Sequence, residues 1–190
     1  FKIRKAKYTN YIYKKINIKN NFILAHGRII PDKKVDFIIK AIQSLDMNLV
    51  ISGEIANEER NKLKKLIQKN NLQNRVSILG RISEMDLISL YNEANVLVLT
   101  APKEDFGLVP VEAMACGTPC VAWGDNAGPS ETVINGVNGY LAKPYDIKDL
   151  AEKILLAASL KKNRKTISSS VQKFSELNVR NRFMEHIMNT

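Results

Sequence analysis

Short apolar runs that alternate with segments of helical periodicity constrain this chain more than any other feature. Asn21 to His26 reads as a buried strand, and Val35, Ile38, Ile39, Ile42 and Leu45 then recur at helical spacing. The pattern repeats along the sequence. Met47 to Ser52 is a strand ending at Gly53, and Glu58 to Asn70 is an amphipathic helix with Leu63, Leu66 and Ile67 inside. Val76 to Leu79 is a strand closing on Gly80, Glu84 to Asn92 a short helix, and Asn95 to Thr100 another apolar strand. Cys120 to Trp123 is a strand, Asn126 to Glu131 opens a helical turn, and Gly136 to Leu141 turns into a short edge strand. Asp146 to Leu160 is a helix with Asp146 as its cap. Strands separated by helices of this length specify an α/β fold with a doubly wound parallel sheet. A chain of 190 residues is long enough to bury the core of one such domain. There is no internal repeat, low-complexity stretch or membrane-spanning apolar run.

One helix of the series is unlike the rest. It is expected to begin near Phe106 or Gly107, to take Pro110 into its first turn and to stop at Gly117. Leu108, Val109, Val111, Ala113, Ala115 and Cys116 make it apolar nearly all round, which predicts a buried helix. Glu112 interrupts that surface, and a buried carboxylate needs hydrogen-bond donors. Glu104 and Asp105 stand just ahead of the helix start, where free N–H groups favour an anion. A ligand with both hydroxyls and negative charge would satisfy all of this, and a nucleotide sugar has both.

The run from Glu104 to Pro119 resembles the acidic E-x7-E signature of the retaining glycosyltransferases with two Rossmann-like domains, the GT-B fold, and in particular family 4. The spacing of two acids alone is weak. Joined to Phe106-Gly107, the Ala-containing helix and Gly117-Thr118-Pro119, it is specific. The resemblance implies that Glu112 binds the ribose hydroxyls of the donor and that Glu104 lies against the transferred sugar. It also implies that backbone N–H groups of Phe106, Gly107, Leu108 and Val109 meet the sugar and diphosphate. The ordinary alternative is a structural acid pair, with Glu112 in a salt bridge and Glu104 complementing the helix dipole.

Upstream, the first strand runs into Gly27-Arg28-Ile29-Ile30-Pro31-Asp32-Lys33-Lys34. A strand, a Gly turn and a helix present groups at the carboxyl edge of a parallel sheet, where ligands bind. Arg28 offers a planar fork and Lys33 a point charge, together suited to a diphosphate. By the same resemblance, Arg28 and Lys33 bind the donor diphosphate beside Gly27. Taken alone, the pair would be a solvated basic loop. The chain departs from the family at Lys34, where glycine is usual. Gly80-Arg81-Ile82 follows another strand, where the family places the nucleotide base. Arg81 can stack on a base, with an exposed loop charge as its equal alternative. Glu131 reads as a first-turn acid.

The resemblance covers about residues 20 to 160 and implies the second, donor-binding half of a two-domain enzyme whose acceptor-binding half comes first. Residues 1 to 19 then form a basic linker or interdomain segment. Residues 161 to 190 form a C-terminal helical segment that crosses toward the other half. The implied reaction transfers a hexosyl unit from a UDP- or GDP-linked sugar to an acceptor hydroxyl, with retention and without a metal or other cofactor. Neither His26 nor His186 matches a family catalytic residue, and both read as structural or surface groups.

Charge is uneven. Residues 1 to 40 carry eleven Lys or Arg against two acids, residues 41 to 159 eleven against fifteen, and residues 160 to 190 seven against two. The basic ends suit an anionic membrane leaflet carrying a lipid-linked acceptor. A general Lys- and Asn-rich bias explains most of the same charges. Nucleic acid ranks behind both, because the basic stretches lack an aromatic-interleaved or helix-turn-helix pattern. Cys116 and Cys120, the only cysteines, sit in apolar surroundings and do not make a zinc set. With no demand for an oxidising compartment, the expected location is the cytoplasm, including the inner membrane face. Two other classes fit the same residues. One is a sugar-nucleotide epimerase of this architecture, and the other is a nucleotide-sugar-binding module that turns nothing over without a partner domain.

Overall fold

The six strands of the sheet are apolar on both faces, and each face is covered by helices. The structure, a computed structural model, describes residues 1–5, 12, 21–175, 177–181 and 184. In chain order the elements are β1 (Phe22–His26), α1 (Val35–Ala41), β2 (Asn48–Ser52), α2 (Asn57–Lys69), β3 (Val76–Gly80) and α3 (Glu84–Glu93). They continue with β4 (Val96–Leu99), α4 (Leu108–Ala115), β5 (Cys120–Trp123), α5 (Pro129–Thr132), β6 (Gly139–Ala142), α6 (Ile147–Leu160) and α7 (Arg164–Ser170). Strand residues alternate between two cores. Ile23, Leu49, Ile51, Val96, Val98 and Val121 pack under α1, α2 and α6, against Ile38, Leu63 and Ile154. Leu24, Val50, Leu97 and Cys120 face the other way, onto Tyr91, Ala113, Met114 and Ile167 of α3, α4 and α7. Burial on both faces is why the strands read as unbroken apolar runs.

Every strand pair is parallel, and the order is β3-β2-β1-β4-β5-β6. The chain builds outward from β1 in one direction, then returns and builds outward in the other. The loops after β1 and β4 therefore diverge, leaving a crevice at their carboxyl ends. The residues that follow β1 and β4 are the ones the sequence marks for ligand contact.

Local structure agrees with the sequence in most elements. Asp146 caps α6, its carboxylate accepting from Lys148 N and Asp149 N at 3.0 Å. Gly117, at φ 76°, ends α4 as expected, with Gly117 N donating to Met114 O and Thr118 N to Ala113 O. These two bonds form the Schellman arrangement, and the left-handed residue in it favours glycine. Lys34 keeps the left-handed conformation (φ 51°) that the usual glycine would adopt, so the turn into α1 survives the departure. Its carbonyl and that of Lys33 both accept from Thr100 Oγ1, tying the turn to the end of β4.

The α4 helix corrects one expectation. It is not buried all round. Pro110, Ala113 and Met114 face the sheet, but Leu108 is 65% exposed and Val111 and Ala115 are only partly covered. The helix lies in an outer layer, and apolarity on its far side lines a groove against α7 and the turn Gln172–Phe174. The basic segment at 1 to 19 lies largely outside the described residues, whereas most of the C-terminal segment from 161 onward is described. Its last residues, 185 to 190, fall outside, His186 among them.

The described start of the C-terminal segment packs across the ends of α3 and α4. Lys161 Nζ donates to Asn92 O at 3.1 Å, and an Arg164 guanidinium NH2 group donates to Cys116 O at 2.9 Å. A cation at a helix C-terminus is favourable, as Arg164 is at the end of α4. Burial lowers the pKa of Lys161 to about 7, so its contact with α3 is chiefly a hydrogen bond. Together they hold the two helices in fixed relation.

Candidate active site

A cleft of about 370 Å³ opens at the point where the loops after β1 and β4 part. It is lined by Gly27, Arg28 and Lys33 from one side and by Glu104, Asp105, Phe106, Gly107, Leu108 and Val109 from the other. These residues are up to 82 positions apart in sequence, and the sheet's reversal of direction brings them together. Arg28 is exposed and makes no ion pair among the described residues. Lys33 reaches across the cleft, its Nζ donating to Glu104 Oε2 at 2.5 Å.

Glu104 is fixed twice. Lys33 holds its carboxylate, and its carbonyl accepts from Gly128 N at 2.9 Å. Gly128 is packed so closely that a Cβ there would lie 2.1 Å from Asp105 O. Asp125 completes the brace, its carboxylate accepting from Lys103 N at 2.7 Å while Lys103 Nζ donates to Asp125 O. The loop after β5 thus clamps the loop after β4. On the other side Gly53 performs a similar service, because a Cβ there would lie 1.8 Å from Gly27 O. The backbones after β1 and β2 approach too closely for any side chain between them.

The N-terminus of α4 points into this cleft. Gly107, at φ 75°, precedes the helix with no side-chain cap, and Leu108 and Val109 form its first turn at the cleft wall. Pro110 has no N–H to contribute. The first-turn N–H groups of Leu108 and Val109 are left open to an anion, without a competing side chain.

Glu112 stands on the same face of α4 as Leu108, one turn further on, and lines the adjoining groove of about 540 Å³. Leu108 borders both hollows. The carboxylate of Glu112 accepts from the phenol of Tyr91 at 3.0 Å. Partial burial pushes the Glu112 carboxyl above the usual range, and the Tyr91 hydrogen bond works against that rise. The charge of Glu84, two residues past Ile82, adds to the rise.

Arg81 and Ile82 enter neither hollow. Arg81 is mostly exposed and pairs with Glu54 at 3.0 Å, while Ile82 packs against the core under α3. Both stand at the carboxyl end of β3, on the same edge of the sheet as the cleft. His26 carries a role that its sequence context did not show. It ends β1, lines the cleft, bonds Ser52 Oγ through Nδ1 at 2.9 Å, and meets the Tyr91 ring edge-on. Burial holds its pKa down to about 4, so the ring is neutral near pH 7. Tyr91 was likewise hidden within a run of helix-core residues. Among the described residues no three His, Cys, Asp or Glu side chains group as metal ligands, and Cys116 and Cys120 are free and buried.

A Rossmann-like sheet of this order, with cations and a helix N-terminus gathered at its crevice, is the architecture of the GT-B glycosyltransferases, which are its structural neighbours. The chain belongs to the family of glycosyl transferases group 1, whose pattern matches residues 12–174. An uncharacterized glycosyltransferase of Methanocaldococcus jannaschii, MJ1178, is 36% identical over 156 residues, covering 82% of this chain and 43% of that protein. The D-inositol 3-phosphate glycosyltransferase of Mycolicibacterium smegmatis is 34% identical over 132 residues, covering 67% of this chain and 30% of its own length. Among solved structures, Anabaena Alr3699/HepE in complex with UDP superposes with a TM-score of 0.75 at 30% identity, covering 90% of this chain and 50% of that one. The same protein has also been solved with UDP-glucose. The chain thus spans half or less of the length of these relatives.

Proposed function

We propose that this chain is the donor-binding half of a retaining, family-4 GT-B glycosyltransferase that moves a hexosyl unit from a nucleoside-diphosphate sugar to an acceptor hydroxyl. The observation that carries the reading is the convergence of Arg28, Lys33, Glu104 and the uncapped start of α4 on one cleft, with Glu112 one helical turn beyond. UDP in a related structure supports a nucleotide donor, and UDP or GDP is the expected carrier. In this reading residues 20 to 160 hold the donor. An acceptor-binding half precedes them, the first 19 residues join the two, and the segment from 161 onward crosses back.

The diphosphate lies against the N–H groups of Leu108 and Val109, with Arg28 and Lys33 on its oxygens. As the bond between the sugar's anomeric carbon and the diphosphate breaks, negative charge grows on the leaving oxygen. The two cations and the helix terminus stabilise it, which needs no metal. The acceptor oxygen bonds to the anomeric carbon on the face the diphosphate leaves, and its proton passes to the departing phosphate. Glu104 orients the sugar hydroxyls and Glu112 takes the ribose diol. Arg81 and Ile82 border the base, beyond the cleft itself.

Calorimetric titration with UDP, GDP and ADP tests the reading. One nucleotide is expected to bind, and Glu112→Ala and Arg28→Ala are each expected to weaken it at least ~10-fold, about 1.4 kcal/mol. Unchanged affinity in both variants would remove the site assignment.

A further inference from the structure

Tyr91 is fully buried, yet its phenol does not end in the core. It emerges between α3 and α4 and donates to Glu112 Oε2 at 3.0 Å. Its ring cannot swing away. His26 packs edge-on at 5.9 Å from one side and Phe1 at 5.8 Å from another, and the Tyr91 carbonyl accepts from Thr118 Oγ1. A carboxylate on a helix ordinarily rotates about its last bonds, and nothing on α4 itself restrains Glu112. The restraint comes from the neighbouring helix.

That restraint matters for a diol. An ionised carboxylate offers about four lone-pair sites on its two oxygens. Tyr91 occupies one site on Oε2. The ring fixes the positions of two hydroxyl oxygens on adjacent ribose carbons, so a carboxylate whose plane is already set accepts from both without being ordered at binding.

We propose that Tyr91 is a positioning residue for donor recognition, whose phenol fixes the Glu112 carboxylate so that it reads the ribose diol and distinguishes it from deoxyribose. The inference rests on the reading of Glu112 as the ribose-binding acid. Tyr91 touches no donor atom and acts through Glu112 alone. The burial of Glu112 agrees with this arrangement: burial pushes its carboxyl toward the neutral form, and the phenol's donated hydrogen bond opposes that.

The test compares UDP with 2′-deoxy-UDP by calorimetry, and likewise GDP and ADP with their 2′-deoxy forms, on the full 190-residue chain and on its Tyr91→Phe, Glu112→Ala and doubly substituted variants. The unmodified protein is expected to prefer the ribose form by about tenfold. In Tyr91→Phe the ribose form loses most of that preference while the deoxy form binds as before. The double variant behaves like Glu112→Ala alone, because the phenol has nothing left to position. A phenol that only supported the packing would lower both affinities together and leave their ratio unchanged, which overturns the inference. Thermal melting checks that Tyr91→Phe, which removes one oxygen, stays folded. Should it fail to fold, Glu112→Gln keeps the test open: the amide oxygen still accepts from the phenol, so a fraction of the preference survives that is absent in Glu112→Ala. Equal loss in Gln and Ala overturns the proposal. Failure of the unmodified protein to bind any of the three, or equal binding of ribose and deoxyribose forms, overturns the ribose role of Glu112 and the role of Tyr91 with it.

Discussion

His26 shows how much one side chain can set at the floor of a cleft. The unfolded chain protonates it near pH 6.5, whereas the folded protein does so only near 4, because the buried ring resists charge. Between those values the unfolded state binds more protons, so stability falls as pH drops through the window and is level above and below it. The whole effect is about 3 kcal/mol. Urea unfolding at pH 7 and pH 4.5 is expected to show a smaller difference in His26→Asn than in the unmodified protein; an equal difference would show that the ring is not the source. Glu104 allows a second prediction. If its carboxylate orients the sugar, Glu104→Gln is expected to leave UDP affinity within about threefold while removing most of the extra affinity of UDP-sugar over UDP. Competition titration reads both numbers, and a variant that keeps the full increment would deny Glu104 that part. Glu112 stood out in the sequence because a carboxylate within an apolar helix needs partners, while Arg28 and Lys33 alone read as a solvated basic loop and were singled out only through the family resemblance. His26 and Tyr91 were not, because each sits in an apolar run where a core ring and a site ring look alike. Only the carboxyl edge of β1 and the packing of α3 on α4 separate the two cases.

At the level of elements, the alternation of strand and helix was readable nearly to the residue, since burial of both sheet faces leaves short unbroken apolar runs bounded by turn residues and separated by segments of helical period. The exposed side of α4 was not readable, because an apolar helix does not say which neighbour its outer face will meet. Here α7 and the turn after it stand off, leaving a groove. The clamp between the loops after β4 and β5 was also silent in sequence, for Gly128 and Asp125 acquire their importance from Asp105 and Lys103, which lie some twenty residues earlier. It gives a third prediction. Gly128→Ala drives a methyl group against Asp105 O and is expected to cost roughly 2 kcal/mol of stability. Because the displaced segment carries Glu104 and Phe106, nucleotide affinity should fall as well, which thermal melting and titration at one temperature would read together. A loss of stability with affinity intact would show that the loop tolerates the shift.

At the scale of the molecule, the chain spans half or less of the length of these relatives, and the proposed acceptor half would close over the cleft. If an acceptor half completes the site, a two-domain protein containing this chain is expected to transfer sugar where the chain by itself does not, with product formation followed by chromatography. Free sugar-nucleotide isomers appearing without acceptor would instead mark an epimerase. Among the described residues no helix is long and apolar enough to cross a membrane. Attachment to anionic vesicles through the basic ends would show as salt-sensitive co-sedimentation. The salt bridge across the cleft has a consequence for the approach of the donor. Lys33 and Arg28 face Glu104 and Asp105, two charges of each sign. From a distance the cleft is neutral, and an incoming anion is drawn by the molecule's overall +10, not by the cleft. That long-range pull fades beyond roughly 8 Å in physiological salt. In the proposed reading, selectivity begins once a diphosphate displaces Glu104 from Lys33, and until then the carboxylate is a resident competitor for the cation.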